Sequence, residues 1–513
     1  MDEINYRDFV PIPILSVLVL LPALLAVLLR SQKDEKRVYW TALGGGVFEL
    51  LLTLLVIAKF RLHTASLQFV EEVPLAFGLS YHVGVDGISV LFLPLTALLG
   101  LLVTLFAQDS AKKQPGRYLA SIFALEATLI GAFVSVDLLL FWVFALLEIV
   151  PGAILVAGFE KAPTRLVTAR RYAAINAMGV VLLLAGVIVL GRATGAPPYS
   201  LSALLSTPVP ERAQDLAFWL FMLGFAIRIP LFPFHGWLPP IMEAGPAVGV
   251  SVFLVGAKLG AYGILRVVVP LLPDALHRFG PLLAVGGVVG MLYGGLLALV
   301  QTNLRRLVAF ACLSHTGSVL VGIASLNTEG FTGALLVTLN VGLSAAGLYF
   351  VAGFLNQRLG STEVERASRL SSEAPLLALT FLLVGLATIG MPGTSGFEAE
   401  HLIVIGALGA RLGIMAVAIA VGSLLGAAYL LRYFQRAFLG QAQSAQATPT
   451  PTAARAKITD LSARELVIAG AIATIIVGFG LFSRPVLSIV DGSVRAMSGR
   501  FESKDRNVQH AHP

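Results

Sequence analysis

The chain has 513 residues, of which 57% are hydrophobic and 13% are charged. A water-soluble chain of this length carries a larger share of charged residues, so the composition excludes an ordinary soluble protein. Apolar runs of about twenty residues recur along almost the whole chain, which is the length that crosses a bilayer as a helix. The formal charge of +7 indicates basic loops on one side of a membrane rather than nucleic-acid binding.

Cysteine and glycine usage limits the cofactors that the chain can bind. Its single cysteine, Cys312, excludes an internal disulfide, a cysteine-ligated iron–sulfur cluster and a multi-cysteine zinc site. No glycine-rich phosphate loop follows a strand pattern, so no nucleotide site is visible. The sequence therefore predicts no cofactor and no metal bound by this chain.

The first apolar run, residues 11–29, is too long for a signal peptide and has an acidic N-terminal flank, so we interpret it as a retained helix. About fourteen transmembrane helices are predicted. Their expected centres are near residues 20, 48, 95, 125, 146, 183, 225, 255, 290, 315, 343, 390, 425 and 478. Basic residues follow the odd-numbered helices, which predicts that these connections are cytoplasmic and that both termini lie on the outer face. Residues 440–464, rich in Ala, Thr, Gln and Pro, are expected to form a loose cytoplasmic loop.

Two of the predicted helices contain clusters of proline and glycine. One includes Pro230 and Pro233, and the other includes Pro392, Gly393 and Gly396. Proline removes a backbone donor, so both helices are expected to unwind at mid-membrane depth. Corresponding breaks in two halves of a chain indicate inverted repeats and a polar path at the membrane midplane. The alternative is that the prolines only kink two packed helices.

Four segments resemble the antiporter-like, proton-translocating membrane subunits of respiratory complex I, the NADH/quinone oxidoreductase family. They are residues 81–89, 224–239, 297–317 and 393–400. The pattern Gly-Thr-Ser-Gly-Phe-x-x-Glu at 393–400, residues 433–440 and residues 460–465 most resemble subunit M. The resemblance covers nearly the whole chain and implies an all-α integral membrane protein with two inverted five-helix repeats.

This resemblance also implies a division of the chain. Residues 1–110 would form N-terminal helices, and residues 111–270 a first repeat with a half-channel. Residues 271–440 would form a second repeat with a half-channel, and residues 441–513 the cytoplasmic loop and the last helix. The implied activity is proton translocation driven by quinone reduction elsewhere in a multisubunit complex of an energy-transducing membrane.

Ionisable residues within the apolar segments are the candidate proton carriers, because charges at this depth are costly and usually face water or one another. Lys258 matches the family's central-helix lysine, and a desolvated lysine can lose its proton near neutral pH. Glu400 follows the second break and matches the family's terminal carboxylate. The alternatives are a lysine that reaches the membrane interface and a helix-capping glutamate, a role that Glu398 could also fill.

Two histidines and one pair of opposite charges complete the candidate path. His315 matches the family's Ser-His-x-Gly motif and has a side chain suited to proton exchange near neutral pH; the alternative is a buried, hydrogen-bonded structural histidine. His235 lies beside the first break and either orients the loop or contacts the path. Glu148 and Arg228 lie near the positions of the family's glutamate–lysine pair, so we predict that they form an ion pair.

The sequence departs from the family at several of these positions. Leu146 occupies the family's glutamate position, and Glu148 is two residues further on, about 200° around a helix. Arg228 replaces a lysine and is a poor proton carrier because it stays protonated. Asn340 and Val341 replace a Ser-His pair, and Glu243 is displaced by one position.

These departures leave several functions open. The leading hypothesis is a proton-translocating subunit of a quinone-reducing, complex I-type assembly. The alternatives couple proton flux to a cation/proton antiporter, a membrane-bound hydrogenase or an inorganic-carbon uptake module. A non-conducting scaffold is a further alternative. In each case the expected partners are other membrane subunits, the bilayer and protons.

Overall fold

The computed structural model describes residues 2–74, 80–110, 114–159, 164–195, 199–246, 248–256, 259–364, 370–440 and 458–511. They form a bundle of helices with a small sheet at one end. The helices of the first half of the chain are α1 (Ile14–Ser31), α2 (Glu35–Lys59), α3 (Phe92–Ser110), α4 (Pro115–Val134), α5 (Leu138–Leu147), α6 (Ile149–Gly158), α7 (Arg165–Thr194), α8 (Leu201–Ser206), α9 (Glu211–Arg228) and α10 (Leu238–Ala244). The later helices are α11 (Val250–Gly256), α12 (Leu259–Gly263), α13 (Val269–Leu271), α14 (Pro273–Leu299), α15 (Leu304–Ala324), α16 (Thr328–Leu359), α17 (Leu370–Glu373), α18 (Pro375–Thr388), α19 (Ser395–Gly409), α20 (Gly413–Phe434), α21 (Ala463–Leu481) and α22 (Arg484–Ala511).

Eleven helical segments of the described chain are long and apolar enough to cross a membrane. The prediction of about fourteen spans also counted α3 and the two helices interrupted by proline. The pieces of the interrupted helices are individually shorter or more charged than a complete span, as α18 and α19 illustrate with 14 and 15 residues. The predominantly helical membrane fold is confirmed, and the total of fourteen stays a prediction.

Both predicted helix breaks are present. The first separates α9, which ends at Arg228, from α10, and a single 3₁₀ turn over Phe234–Trp237 lies between them. The second separates α18, which ends at Thr388, from α19, which begins at Ser395. Two continuous helices would have contradicted the prediction. The two gaps coincide with the proline and glycine clusters, since proline cannot supply the helical N–H.

A three-stranded sheet lies at the end of the bundle that holds both termini. Strand β2 (Leu67–Pro74) pairs in parallel with β1 (Glu3–Asn5) and antiparallel with β3 (Ser80–Val85). The sequence analysis predicted no strands, because these are short and their connection lies outside the membrane helices. Ser493 on α22 accepts a hydrogen bond from the Gly87 amide, at 2.9 Å, just after β3. The sheet and the first part of the C-terminal helix therefore lie at the same end of the bundle, and the outer location of the termini stays a prediction.

Small residues bring α14 and α15 into close contact. A Cβ atom added at Gly287 would lie 2.6 Å from the Gly317 carbonyl oxygen, and one added at Gly294 would lie 2.7 Å from the Ser314 amide nitrogen. Helices in membranes pack closely where such residues face each other. This packing fixes the position of α15, which contains His315. The predicted loose loop at 440–464 falls largely outside the described residues.

Candidate functional site

The first candidate cluster is the ion pair between Glu148 and Arg228. Arg228 donates a hydrogen bond from Nη2 to Oε2 of Glu148. The side chains are only 7% and 4% exposed. Because water does not reach the two charges, each is stabilised by the opposite charge of its partner. The contact confirms the predicted pairing.

The fifth membrane segment is locally perturbed near Glu148 but is not broken there. Helix α5 ends at Leu147 and α6 begins at Ile149, and Pro151 has no N–H to donate to the carbonyl one turn earlier. Glu148 itself keeps helical dihedrals, φ −57 and ψ −31, and its amide donates to the Phe144 carbonyl at 3.0 Å. The ion pair therefore forms although Glu148 lies about 200° around the helix from the family's glutamate position.

Glu148 and Arg228 both line a cavity of about 10 Å³, which has room for about one water molecule. Asn176 of α7 and Trp237 of the 3₁₀ turn line it together with apolar side chains. The Nε and Nη1 atoms of Arg228 have no hydrogen-bond partner among the described residues, so the guanidinium retains donors that none of these residues uses. Leu254 and Leu259, on either side of position 258 in sequence, also line the cavity. Lys258 itself lies outside the described residues.

His235 lies at the first break, on the 3₁₀ turn between α9 and α10. Its ring packs against Tyr293 of α14, with centroids 5.3 Å apart, and against Phe232, at 6.0 Å. Trp237, on the same turn, donates from Nε1 to the Ile227 carbonyl at 2.9 Å and holds the turn against α9. His235 therefore lies among aromatic rings, and the Glu148–Arg228 contact does not include it.

The second candidate cluster joins His315 of α15 to Glu400 of α19. Nδ1 of His315 is 3.7 Å from Oε1 of Glu400, and the side chains are 9% and 16% exposed. The second carboxylate oxygen accepts a hydrogen bond from the Ser423 hydroxyl of α20, at 2.7 Å. Gly390 has φ +69 and lies against the carboxylate, where a Cβ atom would be 3.0 Å from Cδ of Glu400. The break thus supplies the space for the carboxylate.

Asn340 of α16 bridges the two sides of the second break. Its Nδ2 donates to the Ala387 carbonyl at 3.2 Å, and its Oδ1 accepts from the Ser395 hydroxyl at 2.7 Å. Ala387 is near the end of α18 and Ser395 begins α19, so one amide connects both pieces. The sequence analysis recorded Asn340 only as the loss of a family residue. An amide in an apolar helix was the available signal for this role.

Asp86 and Arg266 form a further buried ion pair that the sequence analysis did not predict. Arg266 donates from Nη1 to Oδ2 of Asp86, at 2.5 Å, and the side chains are 4% and 0% exposed. The other carboxylate oxygen of Asp86 accepts from the amides of Ile88 and Ser89, at 3.0 and 3.1 Å. Asp86 belongs to the motif at residues 81–89, and this contact gives the motif a structural role.

The displaced Glu243 forms an exposed pair with Arg306 at 3.3 Å.

Known proteins resemble this chain along nearly its whole length. The profile of the family described as "NADH:quinone oxidoreductase/Mrp antiporter, TM" matches residues 135–426. NADH-quinone oxidoreductase subunit M of Rickettsia bellii is 31% identical over 502 residues, covering 96% of this chain and 99% of that protein. Its counterpart in Mycobacterium tuberculosis is 30% identical over 551 residues, covering 98% and 97%.

Solved structures show the same fold. A chain of respiratory complex I from Thermus thermophilus superposes with a TM-score of 0.86 at 28% identity, covering 94% of this chain and 99% of that one. A chain of the Mrp complex from a Dietzia species gives a TM-score of 0.83 at 23% identity, covering 95% and 97%. The latter likeness concerns the fold alone. The family profile and the full-length relatives show that this chain belongs to the NADH:quinone oxidoreductase/Mrp antiporter family of transmembrane proteins.

Proposed function

We propose that this chain is the M-type antiporter-like subunit of a complex I-type, quinone-reducing assembly, and that it moves protons across the membrane. The observation that carries the proposal is the placement of two buried ionisable clusters, Glu148–Arg228 and His315–Glu400, each beside an interruption of a membrane helix. The relatives named subunit M, matched over nearly their whole length, favour this assembly.

The first cluster would act as an electrostatic gate. Arg228 holds Glu148 in its charged form as long as the two remain in contact. Because the guanidinium charge disfavours protonation of the adjacent carboxylate, Glu148 takes up a proton only when the contact opens. The protonated carboxyl then no longer attracts the guanidinium. The water-sized cavity beside the pair supplies a place for the proton donor.

The second cluster would act as the exit or entry of the path. His315 and Glu400 each exchange protons, and 3.7 Å between Nδ1 and Oε1 permits direct transfer after a small movement. Ser423 donates to the charged carboxylate and can rotate its hydroxyl when Glu400 is protonated. His235 would connect the first break to this path.

Lys258 would link the two clusters. This role comes from the sequence, in which the lysine occupies the middle of a glycine-rich apolar segment. The apolar residues Leu254 and Leu259, which precede and follow Lys258 in the sequence, line the Glu148–Arg228 cavity. A proton leaving Glu148 would pass to Lys258 and then toward His315.

A second candidate couples the same proton path to another partner complex. Arg228 and Val341 favour it, because each replaces a titratable residue of the family pattern with one that does not exchange protons. The antiporter-type fold matches in other assemblies show that the scaffold serves more than one complex.

Identification of the partner subunits separates these candidates. The chain, tagged at its C-terminus, is purified from membranes in mild detergent, and the co-purifying subunits are identified by mass spectrometry. Iron–sulfur and quinone-site subunits, together with quinone-driven acidification of sealed vesicles, support the complex I assignment. Antiporter subunits, and acidification that needs added Na⁺ but no quinone, would overturn it.

A further inference from the structure

Two buried glutamates lie in helices outside the proposed path. Glu49 is near the middle of α2 and Glu126 near the middle of α4, and both residues are 0% exposed. None of their carboxylate oxygens has a hydrogen-bond partner among the described residues. Ionisable side chains at this depth are expensive and usually functional. Neither glutamate belongs to a segment that carries the family resemblance.

Helix α3 leaves a specific space for one of the two carboxylates. A Cβ atom added at Gly100 would lie 2.7 Å from Cδ and 2.8 Å from Oε1 of Glu126. Any other residue at position 100 would therefore displace this carboxylate. The hydroxyls one turn away donate to backbone carbonyls of their own helices, Thr104 to Gly100 at 2.9 Å and Thr53 to Leu50 at 2.8 Å. These two hydroxyls therefore do not donate hydrogen bonds to the carboxylates.

Helices α2, α3 and α4 pack against one another. A Cβ atom added at Gly46, one turn before Glu49, would lie 3.5 Å from the side chain of Leu101 on α3, which is next to the Gly100 that contacts Glu126. In the described part of the chain, helices α5, α6, α11 and α12, which also pack against α4, contain no charged residue, and their one titratable residue is Tyr262.

The remaining charged and titratable residues of the elements packed against α4 lie toward the ends of their helices or in β3, except Glu49. They are Arg30 of α1, Glu35, Lys36, Arg37, Tyr39 and Lys59 of α2, Asp109 of α3, and Tyr81 and His82 of β3.

Two neighbouring carboxylates cannot both stay ionised in an apolar interior without a cation. We propose that Glu49 and Glu126 form a second proton-binding site, which holds at least one proton between them. The site lies among α2, α3 and α4, apart from the Glu148–Arg228 and His315–Glu400 clusters. Gly100 is the positioning residue that admits the Glu126 carboxylate. The proton is the ligand because the two groups need neutralisation and no basic side chain in the described part of the chain provides it.

Infrared spectroscopy of the purified complex in lipid tests this proposal, because protonated and ionised carboxyl groups absorb at separate frequencies. The spectrum of the Glu49→Gln/Glu126→Gln double variant is subtracted from that of the wild type at neutral pH. We expect the difference to contain the C=O stretch of a protonated carboxyl. The control is Glu72→Gln, at an exposed position of β2, for which only ionised-carboxylate bands should disappear.

Three results would overturn the proposal. The double variant could lose only ionised-carboxylate bands, the protonated band could disappear when Na⁺ is added to the wild type, or the spectra could be identical. The first two would indicate a cation site. If the double variant does not assemble, the wild type is treated with an apolar carbodiimide, which reacts with protonated carboxyls. An adduct on either glutamate, unaffected by Na⁺, supports the proposal, and its absence contradicts it.

Discussion

The buried pair of Glu148 and Arg228 provides the sharpest test of how structure and transport are related in this chain. Glu148→Gln leaves the Arg228 guanidinium buried without its counter-charge, although Nε and Nη1 already lack partners among the described residues. Arg228→Met leaves the carboxylate in the same position. The double variant Glu148→Gln/Arg228→Met removes both charges and preserves approximate side-chain volumes.

The expected magnitudes follow from burial. Removing one partner of a buried ion pair costs about 3–5 kcal/mol, whereas replacing both partners is often neutral or stabilising. The exposures of 4% and 7% place this pair in the buried class. Each single variant should therefore lose roughly 3–5 kcal/mol of unfolding free energy, a factor of roughly 10²–10⁴ in the equilibrium constant. The double variant should recover most of this loss, but it should not transport protons because Glu148 is absent.

Thermal unfolding of the purified complex measures the stability change, and a pH-sensitive dye in sealed vesicles measures transport. Arg358 and Glu465 provide the matched control, since they form another buried pair, at 2.6 Å with exposures of 9% and 8%, at the beginning of α21. Glu465→Gln should lose stability yet retain transport in the molecules that assemble. Full transport by the double variant at Glu148 and Arg228 would refute the gating role. Unchanged stability of both single variants would refute the burial argument.

Three further predictions concern individual side chains. Glu400→Gln should abolish proton transport without loss of assembly, because the amide cannot exchange a proton with His315. Acidification of sealed vesicles measures the transport, and Glu398→Gln on the same helix is the control. Transport retained by Glu400→Gln would exclude Glu400 from the path. Asn340→Ala should lower the free energy of unfolding by about 1–3 kcal/mol, because it leaves the Ala387 carbonyl and the Ser395 hydroxyl without their partner. Thermal unfolding measures the loss, and Asn340→Asp should recover only part of the lost stability. An unchanged unfolding temperature would show that the bridge is dispensable. Burial raises the pKa of Glu71 above its ordinary value of 4.5, so this group favours the folded state most below pH 4.5 and loses that contribution as the pH rises through the raised pKa. Glu71→Gln should therefore flatten this part of the curve of unfolding free energy against pH, whereas the control Glu72→Gln should not. Identical curves for the wild type and Glu71→Gln would contradict the prediction.

The sequence predicted those features that depend on backbone chemistry or on the cost of buried charge. Proline and glycine at residues 230–233 and 392–396 predicted both helix breaks, because these residues change helical hydrogen bonding in any context. The Glu148–Arg228 pair was predictable because two opposite charges in apolar segments need each other. The periodicity of a continuous helix argued against this contact, yet the pair forms while Glu148 keeps helical dihedrals and its hydrogen bond to the Phe144 carbonyl.

Features that depend on which helices become neighbours were not predictable from one sequence. Asn340 looked like a lost relay residue, and only the adjacency of α16, α18 and α19 shows that its amide joins both sides of a break. Asp86 and Arg266 are 180 positions apart, and only the folded chain brings the turn after β3 against the segment that contains Arg266. Glu49 and Glu126 passed unnoticed because each is a single acid in the middle of its apolar helix. The strands of the outer sheet are too short to give a periodic signal.

We propose above all that protons cross the membrane through ionisable residues of this chain. The most direct measurement is the number of protons moved per quinone reduced, in sealed vesicles containing the complex with Lys258→Ala. Lys59→Ala, at the end of α2, is the matched control. We predict that Lys258→Ala assembles normally but yields a clearly lower ratio, while the control keeps the wild-type ratio. An undiminished ratio with Lys258→Ala would contradict the claim.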